Sequence, residues 1–110
     1  MMTNPQIYVR TVLDLYVQMP GTRLRICPHD RALAHQWFAR QIPIDIVETA
    51  LLLGSARRIC RPPDALKLPP IRSMAYFDPV VAELVDQPPP KTYIHYLRYK
   101  LGFTATINTG

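Results

Sequence analysis

Twelve prolines in 110 residues, and where they fall, constrain this chain more than any other feature. Proline fixes φ and lacks an N–H, so it opens or ends helices but does not run through them. Pro5, Pro20, Pro28, Pro43, Pro62-Pro63, Pro69-Pro70, Pro79 and Pro88 to Pro90 therefore divide the sequence into short segments. None of these approaches the roughly 20 apolar residues that span a bilayer. Because hydrophobic residues still make up 48% of the chain, the prolines punctuate a globular fold rather than dissolve it. The length suits one domain with one core.

Between the prolines the apolar spacing is helical. Thr3-Asn4-Pro5 supplies a cap oxygen and a preset first turn, followed by Tyr8, Val12, Leu15, Tyr16 and Met19. Val9, Leu13 and Val17 widen that surface. This first helix thus either lies centrally or makes an oligomer contact. A loop with Arg23 and Arg25, with room for a short extended piece over residues 23–27, precedes a second helix over residues 29–41 anchored by Trp37. Pro43-Ile44-Asp45 opens a third, with stripes Ile44, Val47, Leu51 and Ile46, Ala50, Leu53. Pro62 and Pro63 stop it. Residues 62–71 form a stiff, proline-rich elbow. Ser73 caps a fourth helix through Met74, Phe77, Val81, Leu84 and Val85, which Asp78-Pro79 kinks or restarts. A fifth helix covers residues 91–101, with Ile94, Leu97 and Leu101 on one side and Arg98, Tyr99 and Lys100 outward. The expected fold is all-α: a compact single domain of about five helices over residues 1–102, with 103–110 a flexible tail. Its core is expected to contain Trp37, Phe38, Val47, Leu51, Phe77, Val81 and Leu84.

The formal net charge of +5 favours encounter with polyanions without selecting among them. Arg57, Arg58, Arg61 and Arg72 bracket the elbow, and the planar guanidinium fork matches phosphate oxygens well. They are the leading candidates for gripping a nucleic-acid backbone, with Arg23 and Arg25 as additions. The competing reading is that they satisfy a helix dipole and pair with Asp64, Asp45 or Glu48. A second set, Tyr93, His95, Tyr96, Arg98, Tyr99 and Lys100, lies in a carboxylate-free stretch from Pro88 onward, and adds Arg98 and Lys100 to the nucleic-acid candidates. Half-buried core tyrosines would produce the same pattern.

Other chemistry finds little support. Cys27, His29, His35, Cys60 and His95 lack the spacing of a zinc site, and the two cysteines make no disulfide framework, so no metal or cofactor is expected. Both cysteines read as small buried apolar residues. No phosphate loop, GxSxG or HExxH occurs and the carboxylates are scattered singly, so the chain is not expected to be an enzyme. Without a secretion-like N-terminus it reads as cytoplasmic and not membrane-bound.

The order Ala56-Arg57-Arg58, Pro62-Pro63-Asp64, Pro70-Ile71-Arg72-Ser73, then Tyr76-Phe77-Asp78-Pro79-Val80-Val81-Ala82-Glu83-Leu84 resembles a set of small uncharacterised bacterial helical proteins. More loosely, residues 42–84 are similar to the helical domain of DnaD-type primosome proteins. That likeness implies nucleic-acid maintenance as a direction. The chain departs from it at Tyr76-Phe77, where DnaD-like domains have Tyr followed by Ile and a Trp-ended helix, so no functional residue carries over. The leading expectation is a basic accessory protein that binds DNA through its phosphate backbone, in replication or mobile-element maintenance. The alternative is a protein-interaction or homo-oligomerisation module that uses exposed apolar faces of helices one and five.

Overall fold

The computed structural model describes residues 4–22, 26–59, 61–62, 64–66 and 68–102. The structure is all-α, and the described residues contain no strand beyond one isolated parallel bridge between Thr22 and Ile71. Helix α1 runs Pro5–Gln18, α2 Pro28–Ala39, α3 Ile44–Ile59, α4 Asp78–Asp86 and α5 Tyr93–Lys100, with a 3-10 turn at Met74–Phe77 ahead of α4.

Local chemistry sets most of these boundaries. The Asn4 side chain accepts from the Gln6 and Ile7 N–H groups at 2.9 and 3.3 Å, satisfying donors the first turn leaves over. Pro5 follows in the first turn. At the start of α2 the Asp30 carboxylate reaches back to the Cys27 N–H at 3.1 Å, which is the return half of a capping box. The Ser73 hydroxyl accepts from Ala75 N–H at 3.1 Å.

Three helices differ in extent from the sequence expectation. The second ends at Ala39, earlier than expected, because Gln41 takes φ 59 while the Ile42 and Gln41 N–H groups bond the Trp37 and Phe38 carbonyls at 3.1 and 2.9 Å. That is a Schellman stop built on glutamine instead of glycine, with Ile42 buried as its apolar plug. The fourth segment does not run as one helix from Ser73. It forms a 3-10 turn and restarts at Asp78-Pro79, where proline's missing N–H falls in a first turn that has no partner for it. The fifth helix is trimmed at both ends relative to residues 91–101.

Helix α3 is the hub, packing on α1, α4, α5 and the 3-10 turn, while α1 and α2 pack together. Tyr8, Val9, Val12, Leu13 and Tyr16 are all buried, so more than one face of α1 does meet protein, within this chain. Trp37, Val47, Leu51, Phe77, Val81 and Leu84 lie in the core as expected. Phe38 is only half-buried and packs edge-on to Tyr8 at 5.3 Å between ring centroids.

Several buried polar groups are paired across elements. Trp37 Nε1 donates to Asp78 Oδ1 at 2.9 Å, pinning α2 to the start of α4. The Tyr8 hydroxyl donates to the Ile42 carbonyl at 2.7 Å. Burial pushes both the Tyr8 and Tyr16 hydroxyls up to about 12, since the low-dielectric interior disfavours a phenolate. Asp30, fully buried, also accepts from Met74 N–H at 2.8 Å and from the Ser73 hydroxyl at 3.2 Å. One carboxylate thus ties the start of α2 to the turn before α4.

Candidate functional site

The last turns of α3 point their arginines in different directions with different company. Arg57 leans towards α4, where it makes a two-pronged pair with Glu83 at 3.1 and 2.8 Å. The Glu83 carboxylate is held below the ordinary glutamate range by that hydrogen bond, and Arg57 is pushed up by it. The partner is an acid 26 positions away, none of those the sequence suggested.

Arg58 and Arg61 instead turn into the elbow. Arg58 Nη2 donates to the Pro69 carbonyl at 2.8 Å, and its guanidinium carbon lies 5.4 Å from the centroid of the Tyr76 ring, within cation–π range. Its head also lies within van der Waals reach of Gly21, 3.6 Å from where a Cβ would stand. Gly21 has φ 84, a left-handed conformation that favours glycine, and its carbonyl accepts from Ile71 N–H at 2.8 Å. The loop after α1 and the end of the elbow are thereby joined. Arg61 Nη2 donates to the Leu66 carbonyl at 2.9 Å. Arg72, exposed, follows Ile71 directly. A guanidinium carries five N–H donors, so one carbonyl contact leaves most of the fork open. Among the described residues neither Arg58, Arg61 nor Arg72 has a carboxylate partner.

On α5, Tyr99 and Lys100 are outward as expected, and Arg98 departs from the expectation. Arg98 is not outward but half-buried and forms an ion pair with Glu48 of α3, with its Nε 3.0 Å from Glu48 Oε2. Its charge is engaged in holding α5 on α3. Tyr93 and Tyr96 stack at 6.1 Å, and the Lys100 ammonium lies over the Tyr96 ring at 5.8 Å. Arg23, Arg25 and Cys60 lie outside the described residues. Cys27 is half-buried rather than fully enclosed. Among the described residues no three His, Cys, Asp or Glu side chains gather as a metal site, and no helix is long and apolar enough to cross a membrane.

Sequence reading did not mark what lies beneath the elbow arginines. A cavity of about 300 Å³ opens between the loop after α1, the end of α3 and the elbow, lined among others by Ser55, Arg58, Ile59, Arg61, Leu66 and Leu68. Ser55 is fully buried, and its Oγ has no hydrogen-bond partner among the described residues. Leu66 is 87% and Ile59 54% exposed at the same place. The only sequence signal was a serine in an otherwise apolar helical run. No family model, curated protein or solved structure matches the chain.

Proposed function

We propose that this protein is a non-catalytic accessory factor that binds DNA through its phosphate backbone at the elbow end of the fold, serving replication or mobile-element maintenance. The observation that carries the reading is that Arg58 and Arg61 lie together at the elbow and the exposed Arg72 directly follows it in the chain, all three with no carboxylate partner among the described residues, while Arg57 and Arg98 are each occupied by a glutamate. Hydrogen bonds to the Pro69 and Leu66 carbonyls fix two of the three guanidinium heads. Such pre-ordering lowers the entropy lost on binding. A grip on the phosphate backbone is salt-sensitive and weakly sequence-selective.

A mobility-shift titration of duplex DNA at two salt concentrations tests it. Arg72→Gln is expected to weaken binding uniformly across sequences and to reduce the salt slope by about 1, the value of a single neutralised phosphate. Arg57→Gln, whose charge is already matched by Glu83, is expected to change the slope far less. Equal slopes for wild type, Arg72→Gln and Arg61→Gln would overturn the reading.

A second reading, a protein-interaction or homo-oligomerisation module, draws on the large apolar side chains left in solvent. Tyr96 and Tyr99 on α5 and Leu66 in the elbow are all more than half exposed. Mass that rises with concentration in the absence of DNA would favour it.

A further inference from the structure

We infer that the outer face of α5 is a stacking platform for single-stranded DNA, with Tyr96 and Tyr99 each holding the face of an unpaired base. This goes beyond the elbow reading, which concerns phosphates alone, and it rests on that reading only in naming DNA as the polyanion. The elbow arginines play no part in it.

Three observations converge. The first is exposure. Helix α5 docks on the core through Leu97, fully buried, with Ile94 and Leu101 packed beside it, yet Tyr96 is 53% and Tyr99 70% exposed. Half-buried core tyrosines, the bland explanation of this sequence pattern, would not leave two rings in solvent. Three residues apart, the two are neighbours on the helix, one about 4.5 Å further along its axis. The second is support. The Arg98–Glu48 ion pair ties α5 to α3, and Tyr93 lies 17° from parallel with Tyr96, ring centroids 6.1 Å apart, bracing that ring. A ring already held loses less freedom when a base settles on it. Every base has a π-face, so such a platform tolerates sequence. The third is charge. Residues 88–110 contain no Asp or Glu, Lys91 and Lys100 are exposed just before α5 and at its last residue, and the Lys100 ammonium lies 5.8 Å from the Tyr96 ring centroid. Cations beside open ring faces suit a strand that offers phosphates and bases together, whereas a duplex keeps its base faces stacked inside. A second copy is the poorer occupant. A two-fold contact through α5 would set lysine against lysine with no acid on the helix to match them.

The test is fluorescence anisotropy of a labelled thymidine oligomer of about 12 nucleotides, within the site size of one small domain. The full-length chain is titrated into it and, in parallel, into an abasic strand of the same length and charge. The abasic strand is expected to bind at least about fivefold weaker, the value of one stacked base. Tyr96→Ala and Tyr99→Ala should each weaken the thymidine strand by about fivefold or more and leave the abasic strand as it was. Tyr99→Phe, which keeps the ring and loses the hydroxyl, should bind as the wild type does. Both tyrosines lie in solvent, so these variants keep the fold, which an unchanged Tm verifies. Equal affinity for the two strands would overturn the proposal. So would alanine variants that hold thymidine as tightly as the wild type, or a Tyr99→Phe as weak as Tyr99→Ala, which marks a hydroxyl contact instead of stacking. An oligomer formed without DNA and dissolved by Tyr99→Ala would do the same, giving this face to a second copy. Duplex binding by Arg72→Gln is measured separately: an unchanged salt slope there sinks the elbow reading alone, and lost base dependence with that slope intact sinks only the platform.

Discussion

Gly54 and Ser55 are neighbours on α3, yet they face two different kinds of interior. A Cβ added to Gly54 would lie 2.7 Å and 2.8 Å from Phe77 Cδ1 and Cε1, closer than carbon atoms tolerate. Ser55, one residue on, borders a cavity with its hydroxyl unmatched. Asp30 sharpens the contrast. It is as buried as Ser55 but accepts from Cys27 N–H, Met74 N–H and the Ser73 hydroxyl. Around Asp30 and Phe77, where α2, the 3-10 turn and α4 meet, the interior is therefore closed in packing and hydrogen bonding, with a cleft lined by Cys27, Arg31 and His35 only on the outer side of α2, whereas the elbow end leaves a buried hydroxyl unmatched beside its cavity. A protein holds a closed region for stability, and an open one is where binding has room to occur.

Three substitutions break or sharpen that comparison. The largest effect belongs to Asp30→Ala, which strands two backbone N–H groups and a hydroxyl between α2 and the 3-10 turn; a loss of about 3 kcal/mol is expected by denaturant unfolding. A loss under about 1 kcal/mol would mean that this end is looser than described. Gly54→Ala comes next. The Phe77 ring is fully buried and packs edge-on against Tyr16 and Tyr76, so it has little room to yield. Overpacking of about 1–3 kcal/mol should outweigh the helix propensity gained, leaving a net loss seen as a lower Tm. The smallest effect, of opposite sign, is Ser55→Ala. Removing an unpartnered buried hydroxyl should leave stability unchanged or raise it by up to about 1 kcal/mol. A clear loss in calorimetry would show that the hydroxyl has a partner in solution, and the elbow end would then be as closed as the other.

Much of the architecture was legible because its causes are local. Asn4 and Pro5 start α1, Ser73 caps the turn before α4, and Pro79 forces the restart, each acting within a few residues of itself. The end of α2 was not legible, since glutamine carries no signal for the left-handed turn that Gln41 makes; burial of Ile42 supplies the reason for it. The candidate site was half legible. The sequence placed Arg57, Arg58, Arg61 and Arg72 around one elbow, but their fates depend on partners far along the chain.

By itself, then, the sequence determined the helices, their order and the apolar faces that bury, because proline geometry, capping and period 3.6 act at short range. Only the tertiary structure decided which cations are engaged. Glu83 meets Arg57 and Glu48 meets Arg98 because α4 and α5 both dock on α3, while Arg58 and Arg61 meet backbone carbonyls because the elbow folds back beside them. Charge pairing over 26 and 50 residues depends on where helices cross, and that is fixed by the packing of the whole core, not by any one segment.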